Sequence, residues 1–292
     1  MAAADLNPRK AVAIMLTGIA LFSILNGVVK DEVAIFPVNQ IVFFRNALAL
    51  PALAAVIALT GGIGQLRTAH PFRHVTHGIT MTLSLMAAFV GFRLMPLAEA
   101  TAISFLRPLL VTLLAGLLLR EVVRPIAWIA VLLGFAGVLV MVRPGAGVFE
   151  EGAIYSLAAA LIGALNMLQQ RRLSLIDQTM GIVFWYMAIS SLVLLPTLSI
   201  WWVTPTPGQL AGLIGMGLAS GLCQYIIIRP LYYAQASTLA PVQYSSMIWS
   251  IVIGFLWFGD APTLPVLTGS AVVIAATALV WLRPPTPSKS AC

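Results

Sequence analysis

The sequence predicts an all-α integral membrane protein: ten transmembrane helices, arranged as two inverted five-helix repeats around a central cavity. Three observations carry that reading. Hydrophobic residues make up 60% of the 292-residue chain and charged residues 9%, where a soluble domain has about 25% charged. The apolar residues gather into ten continuous runs at 11–29, 38–60, 75–92, 100–118, 125–142, 153–170, 179–202, 208–228, 238–258 and 263–282. A hydrocarbon core about 30 Å thick takes about 20 residues of helix. Finally, landmarks of the first five runs recur in the second five. Continuous runs lack the alternation of a β-barrel wall, so helices, which satisfy their own backbone groups, are the spanning solution left.

The first run follows Arg9 and Lys10, is about 19 residues long by the hydropathy criterion and has no small-residue cleavage site. It reads as a retained helix rather than a signal peptide, with Asn26 near its outer end. The second run contains Arg45, read as structural, with its charge snorkelling outward. In the third, His77, Met81, Ser84 and Ala88 share one helical stripe, with Thr80 and Gly91 alongside. An imidazole, a thioether and a hydroxyl on one face suit an amphipathic ligand, because polar groups in lipid usually face a partner or a cavity. The alternative is that His77 meets headgroups or a neighbouring carbonyl. His70, His74 and His77 have metal-ligand spacing, but Pro71 interrupts the turn and no carboxylate or cysteine lies near in sequence. No metal site is expected.

The fourth run carries Arg107-Pro108. A proline inside a helix removes one hydrogen bond and kinks the chain, and Arg107 either snorkels or meets a carboxylate. The sixth run offers Tyr155, Asn166 and Gln169. In the seventh, Trp185 reads as support. The eighth presents Gly217, Gly221, Gln224 and Ile228 on one stripe, with Tyr225 adjacent. Gly217 and Gly221 permit close helix approach, whereas a buried Gln224 needs a partner. The ninth run holds Pro241, Gln243, Tyr244, Ser245, Ser246 and Trp249. Trp128, Trp201, Trp202, Trp257 and Trp281 fit an interfacial belt. Trp249 sits mid-run, where it either stacks on a substrate or fills the core. Pro108 and Pro241 are candidate hinges. Cys223 and Cys292 suggest neither a disulfide framework nor a metal cluster.

The net charge of +7 is spread as single residues and pairs, with no basic face interleaved with aromatics, so nucleic acid is not an expected partner. With the N-terminus inside, eleven cations fall on the inner side (Arg9, Lys10, Arg67, Arg73, Arg120, Arg124, Arg171, Arg172, Arg229, Arg283, Lys289). Three fall outside: Lys30, Arg93 and Arg143. That bias places both termini in the cytoplasm.

The repeat is read from three landmarks. Leu97-Ala98-Glu99-Ala100-Thr101 matches Tyr233-Ala234-Gln235-Ala236-Ser237. Glu121 matches Asp260, and the ending Val142-Arg143-Pro144 matches Leu282-Arg283-Pro284. The repeats span 11–144 and 152–284. Five helices is an odd number, so the second half enters the membrane upside down. Such repeats place a binding site at their interface near the midplane and allow it to open to either face.

Ten helices in two five-helix halves, with the Ala98-Glu99-Ala100-Thr101 entry to the fourth helix and the acid after it, resemble the drug/metabolite transporter superfamily. Within it the chain is similar to the ten-helix EamA-type exporters of bacterial inner membranes, a group that includes aromatic amino-acid and methyl-viologen exporters. The resemblance implies that helices 1, 3, 4, 6, 8 and 9 line the cavity and that 2, 5, 7 and 10 support them. The expected lining is Asn26, His77, Met81, Ser84, Arg107, Asn166, Gln169, Gln224, Tyr225, Tyr244, Ser245 and Trp249.

The expected activity is export of aromatic or other large neutral amino acids and related metabolites, by a monomer in the bilayer without a cofactor. In a small branch of the superfamily a first-helix glutamate couples transport to protons. Here no Asp or Glu lies between Lys10 and Lys30, which favours facilitated diffusion. The alternatives are a proton-coupled exporter of cationic compounds, which ordinarily needs a buried carboxylate, and a non-transporting receptor or scaffold, which leaves the repeat unexplained. Without HExxH, GxSxG or paired intramembrane carboxylates, no enzyme is expected.

Overall fold

The computed structural model describes residues 8–119, 125–142, 151–174, 176–228, 230 and 245–281. Among them the regular structure is helical, with no strand. The α-helices are α1 (Pro8–Ile35), α2 (Val38–Ala47), α3 (Ala49–Thr60), α4 (Pro71–Leu94), α5 (Leu97–Ser104), α6 (Leu106–Leu119), α7 (Pro125–Val142), α8 (Glu151–Leu173), α9 (Thr179–Leu194), α10 (Pro207–Ile228), α11 (Ser245–Phe258) and α12 (Leu264–Trp281). Short 3-10 turns follow α3 at Ile63–Leu66 and α9 at Leu195–Ser199. Among the described residues six spans are long and apolar enough to cross a membrane: Lys10–Ile35, Val38–Thr60, Pro71–Leu94, Glu151–Gln170, Thr179–Ser199 and Pro207–Ile227.

Two of the expected runs are divided, and proline explains both. The α2/α3 junction falls at Leu48, three residues before Pro51, and the α5/α6 junction at Phe105, three residues before Pro108. A proline cannot donate to the carbonyl four residues back and its ring crowds that group. The ladder therefore opens at Ala47 and Ser104 while the chain continues onward. Each pair is one kinked rod. Helix α1 extends past its expected end, so Lys30 lies within it.

The helices pack in a defined set of pairs. Helix α4 lies along α8 and α9, while α1 lies along α10 and α11. The kinked pair α2/α3 packs on α9 and α10, and α5/α6 packs on α8. Helix α7 runs along α12. Small residues let these rods approach. A Cβ on Gly217 would stand 2.7 Å from the Phe44 carbonyl oxygen, and one on Gly221 would stand 2.7 Å from that of Ala49. The GxxxG stripe of α10 is therefore a seat for the α2/α3 kink.

Polar contacts pin the two ends. At the first, Gly259 in the left-handed region (φ 71°) ends α11, and the Asp260 N–H closes back to the Gly254 carbonyl at 2.9 Å. Lys30 Nζ lies 3.6 Å from Asp260 Oδ2, donates to the Met95 carbonyl at 2.8 Å and sits 5.1 Å from the Phe258 ring. Nearby, Asn39 donates to Thr197 Oγ1 at 3.1 Å, and Gln40 makes a reciprocal pair with the Val203 backbone at 2.8 and 3.0 Å. At the other end, Trp185 Nε1 donates to the Leu66 carbonyl at 2.9 Å.

Gly217→Ala is expected to lower stability by about 1–3 kcal/mol, the range for overpacking. A Cβ added to Gly215, on the same helix, would meet nothing within 4 Å; Gly215→Ala is expected to leave stability unchanged or slightly raised. Thermal unfolding of both variants in one detergent checks this, and equal effects would rule out the seat.

Candidate functional site

Helix α4 places His77 and Thr80 on successive turns, and α8 presents Asn166 and Gln169 opposite them. Asn166 Nδ2 lies 3.1 Å from His77 Nδ1, 3.0 Å from the His77 carbonyl and 3.1 Å from Thr80 Oγ1. The Thr80 hydroxyl donates to Gln169 Oε1 at 2.8 Å. The His77 ring meets the Tyr186 ring edge-on, with centroids 6.3 Å apart, and Gln224 Nε2 of α10 donates to the Tyr186 hydroxyl at 2.9 Å. A polar chain thus runs from α8 through α4 and α9 to α10, hydrogen-bonded except where the His77 and Tyr186 rings meet. His77 and Asn166 are buried within it. The chain can offer amide, imidazole and phenol groups to a solute entering between these helices.

Further along α4, Ser84 donates to the Ala159 carbonyl at 2.9 Å. Arg107 reaches the same place from α6. A Cβ on Gly163 of α8 would stand 2.6 Å from Arg107 Nε and 3.1 Å from Ser84 Oγ, so the guanidinium in this position uses the space that glycine leaves. Arg107 Nε is buried with no hydrogen-bond partner among the described residues.

Met81 packs against the cluster of Ala49, Leu53, Val183, Tyr186 and Met187. Asn26 and Tyr225 are half-buried on α1 and α10, as is Ser245 at the start of α11. Trp249 is 37% exposed and joins Ile248, Val252 and Phe255 on the outward apolar face of α11; it is not drawn into the polar chain. Tyr244 and Pro241 lie outside the described residues. Pro108 falls in the first turn of α6, just past the kink.

The expectation for Arg45 is corrected. Its side chain does not snorkel outward: the residue is 2% exposed, with the guanidinium carbon 5.7 Å from the Phe22 ring centroid and 5.5 Å from that of Phe89. The aromatic faces that hold the charge come from α1 and α4, so α2 turns its one cation into the bundle. The reading of the histidine cluster also changes, because a carboxylate does reach it. His74 Nε2 lies 2.8 Å from Asp177 Oδ2, and Thr68 Oγ1 donates to the same oxygen at 2.8 Å. Asp177 comes from the α8–α9 connection, 103 residues away, and no third metal-ligating group joins it among the described residues.

Sequence reasoning passed over Tyr186, Gly163 and the inward turn of Arg45. Tyr186 and Arg45 were readable as polar groups inside apolar runs, but they lie on helices assigned to support.

Burial works against ionisation of Asp177. The hydrogen bonds from His74 and Thr68, together with the nearby charge of the His74 and His70 imidazoles, outweigh it, and the carboxyl is held below its ordinary 3.8.

The sequence matches the EamA-like transporter family twice, over residues 9–143 and 151–282. It is similar to the S-adenosylmethionine uptake transporter of Rickettsia conorii, 24% identical over 82% of each chain. It is also similar to the pseudopaline exporter of Pseudomonas aeruginosa, 28% identical over 87% of this chain and 90% of that one. A third relative is the riboflavin transporter of Rhizobium johnstonii, 27% identical over 94% and 92%. A crystal structure superposes with a TM-score of 0.66 at 19% identity, covering 94% of this chain and 97% of its own, which is a likeness of fold.

A lowered carboxyl pKa adds stability that is complete above the ordinary value and is lost as pH falls through the lowered one. Asp177→Asn is therefore expected to lower the thermal midpoint at neutral pH. It should also flatten the acid limb of the stability profile below about pH 4. An unchanged acid limb would show that Asp177 carries no such linkage.

Proposed function

Because the chain belongs to the EamA-like transporter family of the drug/metabolite transporter superfamily, we propose that it exports amino acids, aromatic or otherwise large and neutral, and related metabolites by alternating access. The protein is a multi-pass membrane transporter, and its family and relatives are transporters rather than enzymes. The observation that carries the finer reading is the polar chain of His77, Asn166, Tyr186 and Gln224, which joins helices of both halves. Amides and a phenol suit an amphipathic solute, and the guanidiniums of Arg45 and Arg107 give the interior a positive bias suited to a carboxylate. The expected lining, from Asn26 to Trp249, belongs to this proposal, with Pro108 and Pro241 as hinges.

Ten spans follow if each kinked pair counts as one rod, and the packing supports two related halves, 11–144 and 152–284. Exchanging each helix of the first half with its counterpart in the second maps the α4–α8 contact onto α10–α1. The same exchange maps α4–α9 onto α10–α2/α3, and α5/α6–α8 onto α11–α1. The α7–α12 and α2–α9 pairs map onto themselves. These matched pairs are consistent with a two-fold relation between the halves, and an odd number of helices in each half would make them inverted. Facilitated diffusion by a monomer is the proposed mode, because no acid lies in the middle of any run.

Uptake into liposomes of labelled amino acids, nucleosides and quaternary amines tests the substrate class. Saturable movement of large neutral amino acids is expected, with Asn166→Ala slowing it by about tenfold, the scale of a lost buried hydrogen-bonding group. Movement of quaternary amines alone would replace this reading with the cationic-compound exporter, and no movement of any solute would favour the receptor.

Orientation has its own test. Reporter fusions at Gly147 and Ser290 are expected on opposite faces, with Ser290 cytoplasmic; a periplasmic Ser290 reporter would sink the ten-span arrangement.

A further inference from the structure

We infer that Arg45 is a carboxylate receptor: its guanidinium, held against Phe22 and Phe89, takes the anionic group of the transported molecule. Arginine stays protonated in proteins, and a cation buried without an anion is costly in a medium of low dielectric. The nine acidic residues of the chain are Asp5, Asp31, Glu32, Glu99, Glu121, Glu150, Glu151, Asp177 and Asp260. All lie at or near helix ends or between helices in the sequence, and Arg45 lies well inside its run. No carboxylate forms an ion pair with it among the described residues. The two aromatic rings offset part of the charge through their π faces. They leave a planar fork of N–H donors, of which buried Nε has no partner among the described residues.

The position of the fork matters as much as its charge. Helix α2 packs on α9, with Asn46 beside Arg45 donating to Ser190 of α9. Tyr186, also on α9, meets His77 through its ring and accepts from Gln224 through its hydroxyl, so Arg45 lies on a helix packed against one that carries the polar chain. A guanidinium recognises a planar carboxylate through two parallel N–H bonds. Arg107 is placed differently, packed against Gly163 and Ser84. The substrate class that follows carries a carboxylate, whether as a zwitterion or a simple anion, and excludes molecules whose only charge is positive. The inference rests on the transport reading in one respect, that the anion arrives as part of a solute that crosses.

The test uses the purified full-length protein with L-phenylalanine, phenylacetate, phenethylamine and sodium chloride as probes. Thermal shift measures binding, and solute counterflow in liposomes measures transport. Phenylalanine and phenylacetate are expected to raise the midpoint of the native protein, and phenethylamine and chloride are not. Arg45→Met is expected to fold with a midpoint no lower than the native one, since replacing a buried charge by an apolar side chain is often stabilising. It should bind phenylacetate at least about tenfold more weakly, the scale of one charge-assisted hydrogen bond. Arg45→Lys, which keeps the charge but loses the fork, should fall between the two.

The proposal is overturned if the native protein fails to respond to either carboxylate, responds equally to phenethylamine or chloride, or if Arg45→Met keeps the native response. Should Arg45→Met not fold, Arg45→Lys and the native probe series decide: an unaltered phenylacetate affinity in the lysine variant overturns it. Counterflow of phenethylamine without phenylacetate binding would leave transport standing and remove the Arg45 role. Phenylacetate binding without counterflow of any solute would do the reverse.

Discussion

A polar group inside a bilayer has no water to turn to, so it must find its partner within the protein. That constraint organises this molecule. Isolated hydroxyls solve it locally: Thr82 donates to the Gly78 carbonyl one turn back at 2.7 Å, and Ser191 to that of Met187 at 2.8 Å. Amides cannot be satisfied so close to home, because each carries two donors and an acceptor. They reach across to other helices: Asn46 to Ser190, Asn166 to His77 and Thr80, Gln224 to Tyr186. The first two join helices of the two family-matched segments, 9–143 and 151–282, and the third joins α10 to α9. The buried amides therefore fix how the rods are set against one another, which a uniformly apolar surface would leave open.

The distribution of these partners divides the molecule along its long helices. Near the ends, several charged groups are paired, although a buried oxygen of Glu32 has no hydrogen-bond partner among the described residues. Lys30 has Asp260 and a carbonyl, and Asp177 has His74 and Thr68. Between the ends, Arg45, Arg107 and Ser220 keep buried polar atoms with no hydrogen-bond partner among the described residues. A buried polar atom without a partner is costly in an apolar bundle, so these are the positions the bundle leaves least satisfied from within.

Glycine and proline supply the geometry. Pro51 and Pro108 open their helices at equivalent places ahead of the ring, and α10 meets the first of these kinks with Gly217 and Gly221. The kinked rods α2/α3 and α5/α6 consequently pack closely on neighbours in the opposite half. A kink also bends at less cost than a straight helix, because one hydrogen bond is already missing.

The helical class, the membrane setting and the family were legible in the sequence, because bilayer thickness writes its length onto apolar runs and lipid forbids other backbone arrangements. So were the residues of the polar chain on α4, α8 and α10, since a His, Asn or Gln in an apolar run stands out one residue at a time. The partners were not legible. Nothing local says that His77 bonds Asn166, that Asp177 crosses 103 positions to His74, or that Gly163 clears the space for Arg107. Arg45 is the sharpest case. By sequence it is one cation in an apolar helix, free in principle to snorkel outward or to turn inward. Which way it turns depends on Phe22 and Phe89, which belong to other helices and meet it only after the bundle has packed.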